Sequence, residues 1–291
     1  MLVTVDCGNT RATFALIDLN AVTWPQKGAD QAWPGLEPRP PVFLSVANPL
    51  TPEGVDVAWQ QGISQREQEL EVVEQEVEAL VIGSVNPQAA QAVEGWVTTY
   101  LNARRSKPVA VLRVGDNLEI PIINRTAQPQ QVGQDRLLNA LACRFRYPSR
   151  AVVVVDFGTA ITFDIVGADG AYLGGVITPG VSMSLTALHE RTALLPVIEP
   201  PRERVPAIGR DTRSALLSGA YYGFPGLIEG VLRALKREFD PPPVVVSTGG
   251  DTKLIEAELP PNTFEERVPL LTHEGLLLTY HENQRDRASS T

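Results

Sequence analysis

Cysteine is scarce in this 291-residue chain, which has only Cys7 and Cys143. That excludes a disulfide framework and a paired Cys-x-x-Cys zinc site. Histidine is scarce too, and His189, His273 and His281 show no metal-ligand spacing. Bases are in deficit, 25 against 34 acids, for a formal charge of −9. A nucleic-acid binder needs a basic face, so that class is disfavoured. Small anions are still allowed, because backbone N–H groups and a metal ion can hold them. Apolar stretches such as 151–155 are far too short to span a bilayer. Up to Asp6 no basic segment is followed by an apolar one, so no signal peptide is expected. A reducing, cytoplasmic compartment is the expected location. No Walker A sequence occurs, and no Gly-x-Gly-x-x-Gly follows the first strand.

The chain does have a 43% apolar fraction and 24 prolines and 23 glycines, enough for a core punctuated by turns. Its length fits one large or two ordinary domains. The clearest feature is an internal echo: Val-Thr-Val-Asp-Cys-Gly at 3–8 returns as Val-Val-Val-Asp-Phe-Gly at 153–158. Each copy is followed by a second apolar run, 12–17 and 161–166, which predicts two hairpins with glycine-bearing turns. Apolar spacing of three and four predicts helices over 65–80, 87–103 and 136–145. It also predicts a long helix over 212–239, broken near Pro225 between Gly223 and Gly226. Strands are expected over 81–85 and 244–246, the latter ending in the glycine turn Thr248-Gly249-Gly250-Asp251. Alternating strands and helices in both halves indicate an α/β fold. The halves are expected to meet within 113–125, with domains over 1–118 and 119–291. Residues 24–41 read as an irregular insertion or hairpin, and 281–291 as a polar, frayed tail.

Three motifs can carry chemistry. Asp6-Cys7-Gly8-Asn9-Thr10 offers a carboxylate at a strand end, N–H groups and polar side chains that suit phosphate, with Arg11 close by. A carboxylate beside phosphate requires a metal ion between them. An ordinary Asp/Gly/Asn turn is the plain alternative, and the second copy, Asp156-Phe157-Gly158-Thr159, weighs against it. Gly133-Gln134-Asp135-Arg136 opens an apolar helix. Asp135 is either a helix-start residue or the acceptor of a hydroxyl proton, and Arg136 either a solvated side chain or an anion ligand. Ile208-Gly209-Arg210-Asp211-Thr212 places Asp or Thr as the cap of the long helix, at an end that attracts anions. The glycines of 172–180 point to close backbone approach by a ligand or a neighbouring subunit. His189 reads as a surface or packing residue, and Cys7 lacks a partner base for a nucleophile.

In order along the chain, these blocks resemble type III pantothenate kinase, in the superfamily of acetate and sugar kinases, Hsp70 and actin. The first turn is similar to Asp-x-Gly-Asn-Thr, and Ser84-Val85-Asn86-Pro87 to Ser-Ser-Val-x-Pro. Pro129 through Gly133-Gln134-Asp135-Arg136 is similar to Pro-x-x-x-Gly-x-Asp-Arg, and 156–164 to Asp-Phe-Gly-Thr-Ala-Thr-Thr-Phe-Asp. The resemblance implies two ribonuclease H-like halves with the active site in the cleft between them, and ATP-dependent phosphorylation of pantothenate. It implies that Asp6, Cys7, Gly8, Asn9, Thr10, Arg11, Ala12 and Thr13 hold ATP phosphates, with Asp6 near Mg²⁺, and that Thr159 contacts ATP. Gly133, Gln134, Asp135, Arg136 and Thr212 would bind pantothenate, with Asp135 as base. Asp156 would hold K⁺ or NH₄⁺, and the protein would be a homodimer. Three departures stand out: Thr126 where the family often has Tyr, Gln134 for Ala, and Ile161 for Thr. A kinase of another small alcohol and a non-catalytic ATP-binding relative are the competing readings.

Overall fold

The computed structural model describes residues 1–25, 32–36, 42–64, 70–250, 255–256 and 258–289. The chain divides into two compact units, Met1–Pro148 with Leu270–Thr291, and Ser149–Pro269. The first unit starts with β1 (Leu2–Cys7), β2 (Arg11–Ile17), β3 (Val42–Ala47), α1 (Pro52–Ser64) and α2 (Leu70–Glu76). It continues with β4 (Ala79–Ser84), α3 (Pro87–Trp96), β5 (Ala110–Arg113) and α4 (Gln134–Arg146). The second unit contains β6 (Val152–Phe157), β7 (Ala160–Val166), β8 (Tyr172–Pro179), α5 (Val181–Glu190), α6 (Thr212–Lys236), β9 (Val244–Gly249) and β10 (Glu266–Arg267). The chain then returns to the first unit as α7 (Leu271–Ser289).

The echo in sequence is an echo in topology. The first sheet runs β3-β2-β1-β4-β5 and the second β8-β7-β6-β9-β10. In each, the first three strands pair antiparallel and the last two join in parallel. The fold is therefore α/β with two similar halves, as expected. Side chains alternate across β1, so Val3, Val5 and Cys7 join Trp59 and Trp96 in one core. Alongside that core, Arg104 donates to both oxygens of Asp56 and of Glu74, while Asp56 Oδ1 also accepts from Trp96 Nε1 and Glu74 Oε1 from Trp59 Nε1. Every charge in the cluster has a partner, which burial demands.

Several sequence expectations change. The division falls at Pro148 instead of 118, because α4 packs against α7 and both lie on the first sheet. The helix expected over 65–80 is α2 alone within the described residues, and 65–69 lie outside them. Ala79 and Leu80 leave the helical pattern to pair with Leu2 and Val3 of β1. Helix α6 runs unbroken through Pro225, which removes only one N–H, while Ile228 and Leu232 beyond it continue the buried face. The tail is helical to Ser289: α7 is seated by buried Leu276, Leu277 and Leu278, and its polar end extends from that anchor. Residues 26–31, 37–41 and Asp251 lie outside the described residues. What is described of the insertion is pinned to the first unit. The Trp33 N–H donates to Phe145 O (2.9 Å), Trp24 stacks on His281, and Leu36 N–H donates to Glu274, which also pairs with Arg146 at 2.6 Å.

Candidate active site

Antiparallel pairing puts Asp6 opposite Thr13 and Cys7 opposite Ala12. Paired residues share a face, so the two pairs point opposite ways. Cys7 and Ala12 enter the core, where burial first, and the neighbouring Asp6 charge second, push the Cys7 thiol up to about 12. That thiol is inert, and only the main chain of Cys7 and Ala12 is available to a ligand. Thr13 faces the other way, toward α7. Its hydroxyl lies 3.0 Å from His273 Nε2, while Nδ1 of the same ring lies 2.8 Å from the Thr4 hydroxyl. Burial drives the His273 pKa down to about 3, so the ring is neutral and serves as a spacer between two strands. Asn9, Thr10 and Arg11 are exposed, with Gly8 half-buried.

The turn itself is gripped from β3. Asn48 Nδ2 donates to both Gly8 O and Asn9 O at 2.9 Å, and Asn48 N–H donates to Thr10 O at 2.9 Å. Sequence reading missed Asn48, since a residue 40 positions away leaves no mark in spacing. It also gave His273 no role, although a lone polar ring in a leucine-rich helix was the available signal.

Helix α4 begins beside this turn. Gly133 is its N-cap and Asp135 stands within its first turn, not at the cap. Asp135 Oδ1 accepts from Arg136 N–H at 2.8 Å, and lies 2.5 Å from where a Cβ on Gly133 would stand. Burial raises the Asp135 carboxyl above the ordinary aspartate value, outweighing the lowering by that N–H and by the Arg136 guanidinium. The Gln134 amide accepts from Ser84 N–H (3.3 Å) and donates to Val114 O (2.9 Å). Val85 N–H donates to Cys7 O at 3.1 Å. The glycine turn and the start of α4 thus stand together at the carboxyl ends of β1, β4 and β5. Thr126 bonds only locally among these contacts, its hydroxyl donating to Asn124 at 2.8 Å.

In the second unit, Asp156 lies opposite Thr162 on β7 and beside Thr248 on β9. Thr162 donates to Asp164 (2.9 Å), which is fully buried and also accepts from Tyr172 (2.9 Å). Gly158 and Thr159 are exposed in the turn. Gly180 N–H donates to Thr159 O (3.0 Å), and Gly250 N–H to Phe157 O (3.1 Å). Gly249 has φ +93°; Asp156 Oδ1 and Phe157 O both lie within 2.7 Å of the point where its Cβ would stand. Thr212 is the exposed first residue of α6, whose cap is Asp211 in a reciprocal box with Ser214. The Ser214 bonds lower the Asp211 carboxyl. Capping therefore belongs to Asp211, leaving the Thr212 hydroxyl outside the box.

A family model described as type III pantothenate kinase matches residues 2–234. A type III pantothenate kinase of Caulobacter vibrioides is 39% identical over 210 residues, covering 71% of this chain and 76% of the relative. Another, of Cereibacter sphaeroides, is 34% identical over 286 residues, covering 98% and 99%. Among solved structures, an activator of 2-hydroxyisocaproyl-CoA dehydratase from Clostridium difficile with bound ADPNP aligns with a TM-score of 0.46 and 11% identity, covering 99% of this chain and 97% of that one.

Proposed function

The chain belongs to the type III pantothenate kinase family, and from that premise we propose which of its residues move a phosphoryl group from ATP to pantothenate. The product is 4′-phosphopantothenate, at the entry to coenzyme A synthesis. One observation carries the assignment of the site: the glycine turn and Asp135 share one sheet edge, joined through Val85 and Gln134. Ligands of open α/β sheets gather at the carboxyl ends of strands.

In this reading Gly8, Asn9, Thr10 and Arg11 hold ATP phosphates, helped by the main chain of Cys7 and Ala12. Thr13 braces the hairpin through His273, and Thr159 contacts the nucleotide. Gly133, Gln134, Arg136 and Thr212 shape the pantothenate site, with Arg136 facing its carboxylate. Asp135 accepts a hydrogen bond from the primary hydroxyl, aligns its oxygen and takes the proton as the new P–O bond forms. The raised affinity of Asp135 for a proton suits that task. Phosphoryl transfer needs little more from a protein than positioning and charge balance.

The donor sets fit the implied cations. Among the described residues no group of three or more His, Cys, Asp or Glu could hold a metal ion. Mg²⁺ needs no such cage, since it takes one or two carboxylates, water and phosphate oxygens. Asp6 would be its carboxylate. When bound, Mg²⁺ would offset the charge of the transferring phosphoryl group. Asp156, at the carboxyl end of β6, would supply the carboxylate oxygen for K⁺ or NH₄⁺, and the absence of a side chain on Gly249 leaves its Oδ1 unobstructed on that side.

We also propose a homodimer in the cytoplasm. Exposed Ile177 (62%), Leu194 (90%) and Ile208 (80%) in the second unit supply apolar surface for an interface. Among the described residues no helix is long and apolar enough to cross a membrane. Incubation with Mg-ATP and pantothenate, or with a panel of other small alcohols, tests the substrate by mass spectrometry. Phosphorylated pantothenate as the dominant product is expected. Preference for another alcohol would overturn the substrate, with Thr126 the first residue to examine.

A further inference from the structure

We propose that Asn48 is a positioning residue for ATP, setting the peptide planes of the glycine turn. The inference rests on the reading that this turn binds phosphate.

The Asn48 side chain and main chain take up three consecutive carbonyls, Gly8 O, Asn9 O and Thr10 O, each at 2.9 Å. Two carbonyls facing one amide fix its orientation, because only the NH₂ end can donate to both. In a trans peptide the N–H points opposite to the C=O. With Gly8 O and Asn9 O drawn toward Asn48, the N–H groups of Asn9 and Thr10 are aimed away from it. A pair of successive N–H groups aimed one way is the geometry that cradles an anion.

The second hairpin supplies an internal control. There, Gly180 stands at the end of β8 as Asn48 stands at the end of β3, and its N–H donates to Thr159 O as that of Asn48 donates to Thr10 O. A Cβ on Gly180 would press into Thr159 O and lie 2.6 Å from Gly158 O. The two halves handle the same carbonyls differently: one has no side chain there, the other bonds them with an amide. The first turn is a residue longer, with 8–10 between its strands against 158–159. A longer turn has more freedom, and Asn48 removes it. The amide turns its NH₂ to the turn although its Oδ1 is then buried without a hydrogen-bond partner. Leaving an acceptor unpaired is unfavourable, so the two hydrogen bonds to the turn must outweigh that cost.

The test is titration calorimetry of Mg-ATP without pantothenate, followed by steady-state kinetics, on wild type, Asn48→Ala, Asn48→Asp and Asp6→Asn. Asn48→Asp keeps the volume but cannot donate, so it carries the test if Asn48→Ala does not fold. The expected result is a loss of ATP affinity of about ten- to a hundredfold in both Asn48 variants. The KM for pantothenate should stay within about twofold, a split that general loosening of the fold would not produce. Wild-type ATP affinity in the Asn48 variants, with Asp6→Asn weakened, would overturn the role of Asn48 alone. No weakening in any variant would instead overturn the phosphate reading of the turn. Equal losses toward ATP and pantothenate would make Asn48 merely structural.

Discussion

Asp135→Asn separates chemistry from stability. The change replaces one carboxylate oxygen by NH₂ and leaves an oxygen to accept from Arg136 N–H, the 2.8 Å bond that holds the side chain. Loss of a positioned base typically costs about 10²–10⁴ in rate, roughly 3–5 kcal/mol of barrier. The effect on folding has the opposite sign. The folded state binds the Asp135 proton more tightly than the unfolded chain does, because burial raises its pKa. Stability therefore falls as pH rises from the ordinary aspartate value through the raised one, and at neutral pH the charge is a net cost. The neutral amide removes that cost, while the first turn of α4 loses about 0.3–1 kcal/mol of helix-dipole stabilisation. The variant should melt within a few degrees of wild type or above it. Turnover at saturating substrates and thermal melts on the same preparation test both halves. Wild-type kcat/KM should fall on the acid side as Asp135 protonates, above the ordinary aspartate range. Near-normal turnover would remove Asp135 from the mechanism, and lost turnover with a collapsed melting point would make it structural.

Arg104→Ala should destabilise by about 3–5 kcal/mol in thermal or denaturant melts, since it strands Asp56 and buried Glu74 without their cation. A loss below about 1 kcal/mol would contradict that. His273 makes stability fall as pH drops from 6.5 toward about 3, because the unfolded ring protonates and the folded one does not. The slope is about 1.4 kcal/mol per pH unit, and urea melts of His273→Gln should lack it. Gly249→Ala forces a side chain into φ +93° and against Asp156 Oδ1. Potassium stimulation should shrink or vanish in a potassium titration, and an unchanged response would place the cation elsewhere.

Much of the fold was legible because it repeats. Two Asp-x-Gly turns 150 residues apart, each between apolar runs, announced hairpins that prove to head sheets of one topology. Local periodicity failed where long-range contacts decide. Ala79 and Leu80 fit a helical face, yet β1 recruits them into a parallel ladder. Pro225 looked like a break, but the buried face continues past it. The polar end of α7 reads as coil until its leucine anchor is seen against β1, β4 and α4. At the candidate site the acidic residues and glycines stood out by type and spacing. Asn48 and His273 did not, because they act across 40 and 260 residues, through hydrogen bonds that no local pattern records. Gln134 stood out only as a departure from the family's Ala; in the fold its amide ties the end of β4 to the residue after β5.

The most direct measurement is ADP release by the purified protein with Mg-ATP, with and without pantothenate, in K⁺ and then in Na⁺. The predicted result is turnover that requires pantothenate and falls when Na⁺ replaces K⁺. No pantothenate-dependent turnover in either cation, from folded protein that still binds ATP, would contradict the assignment of this chain as a working pantothenate kinase.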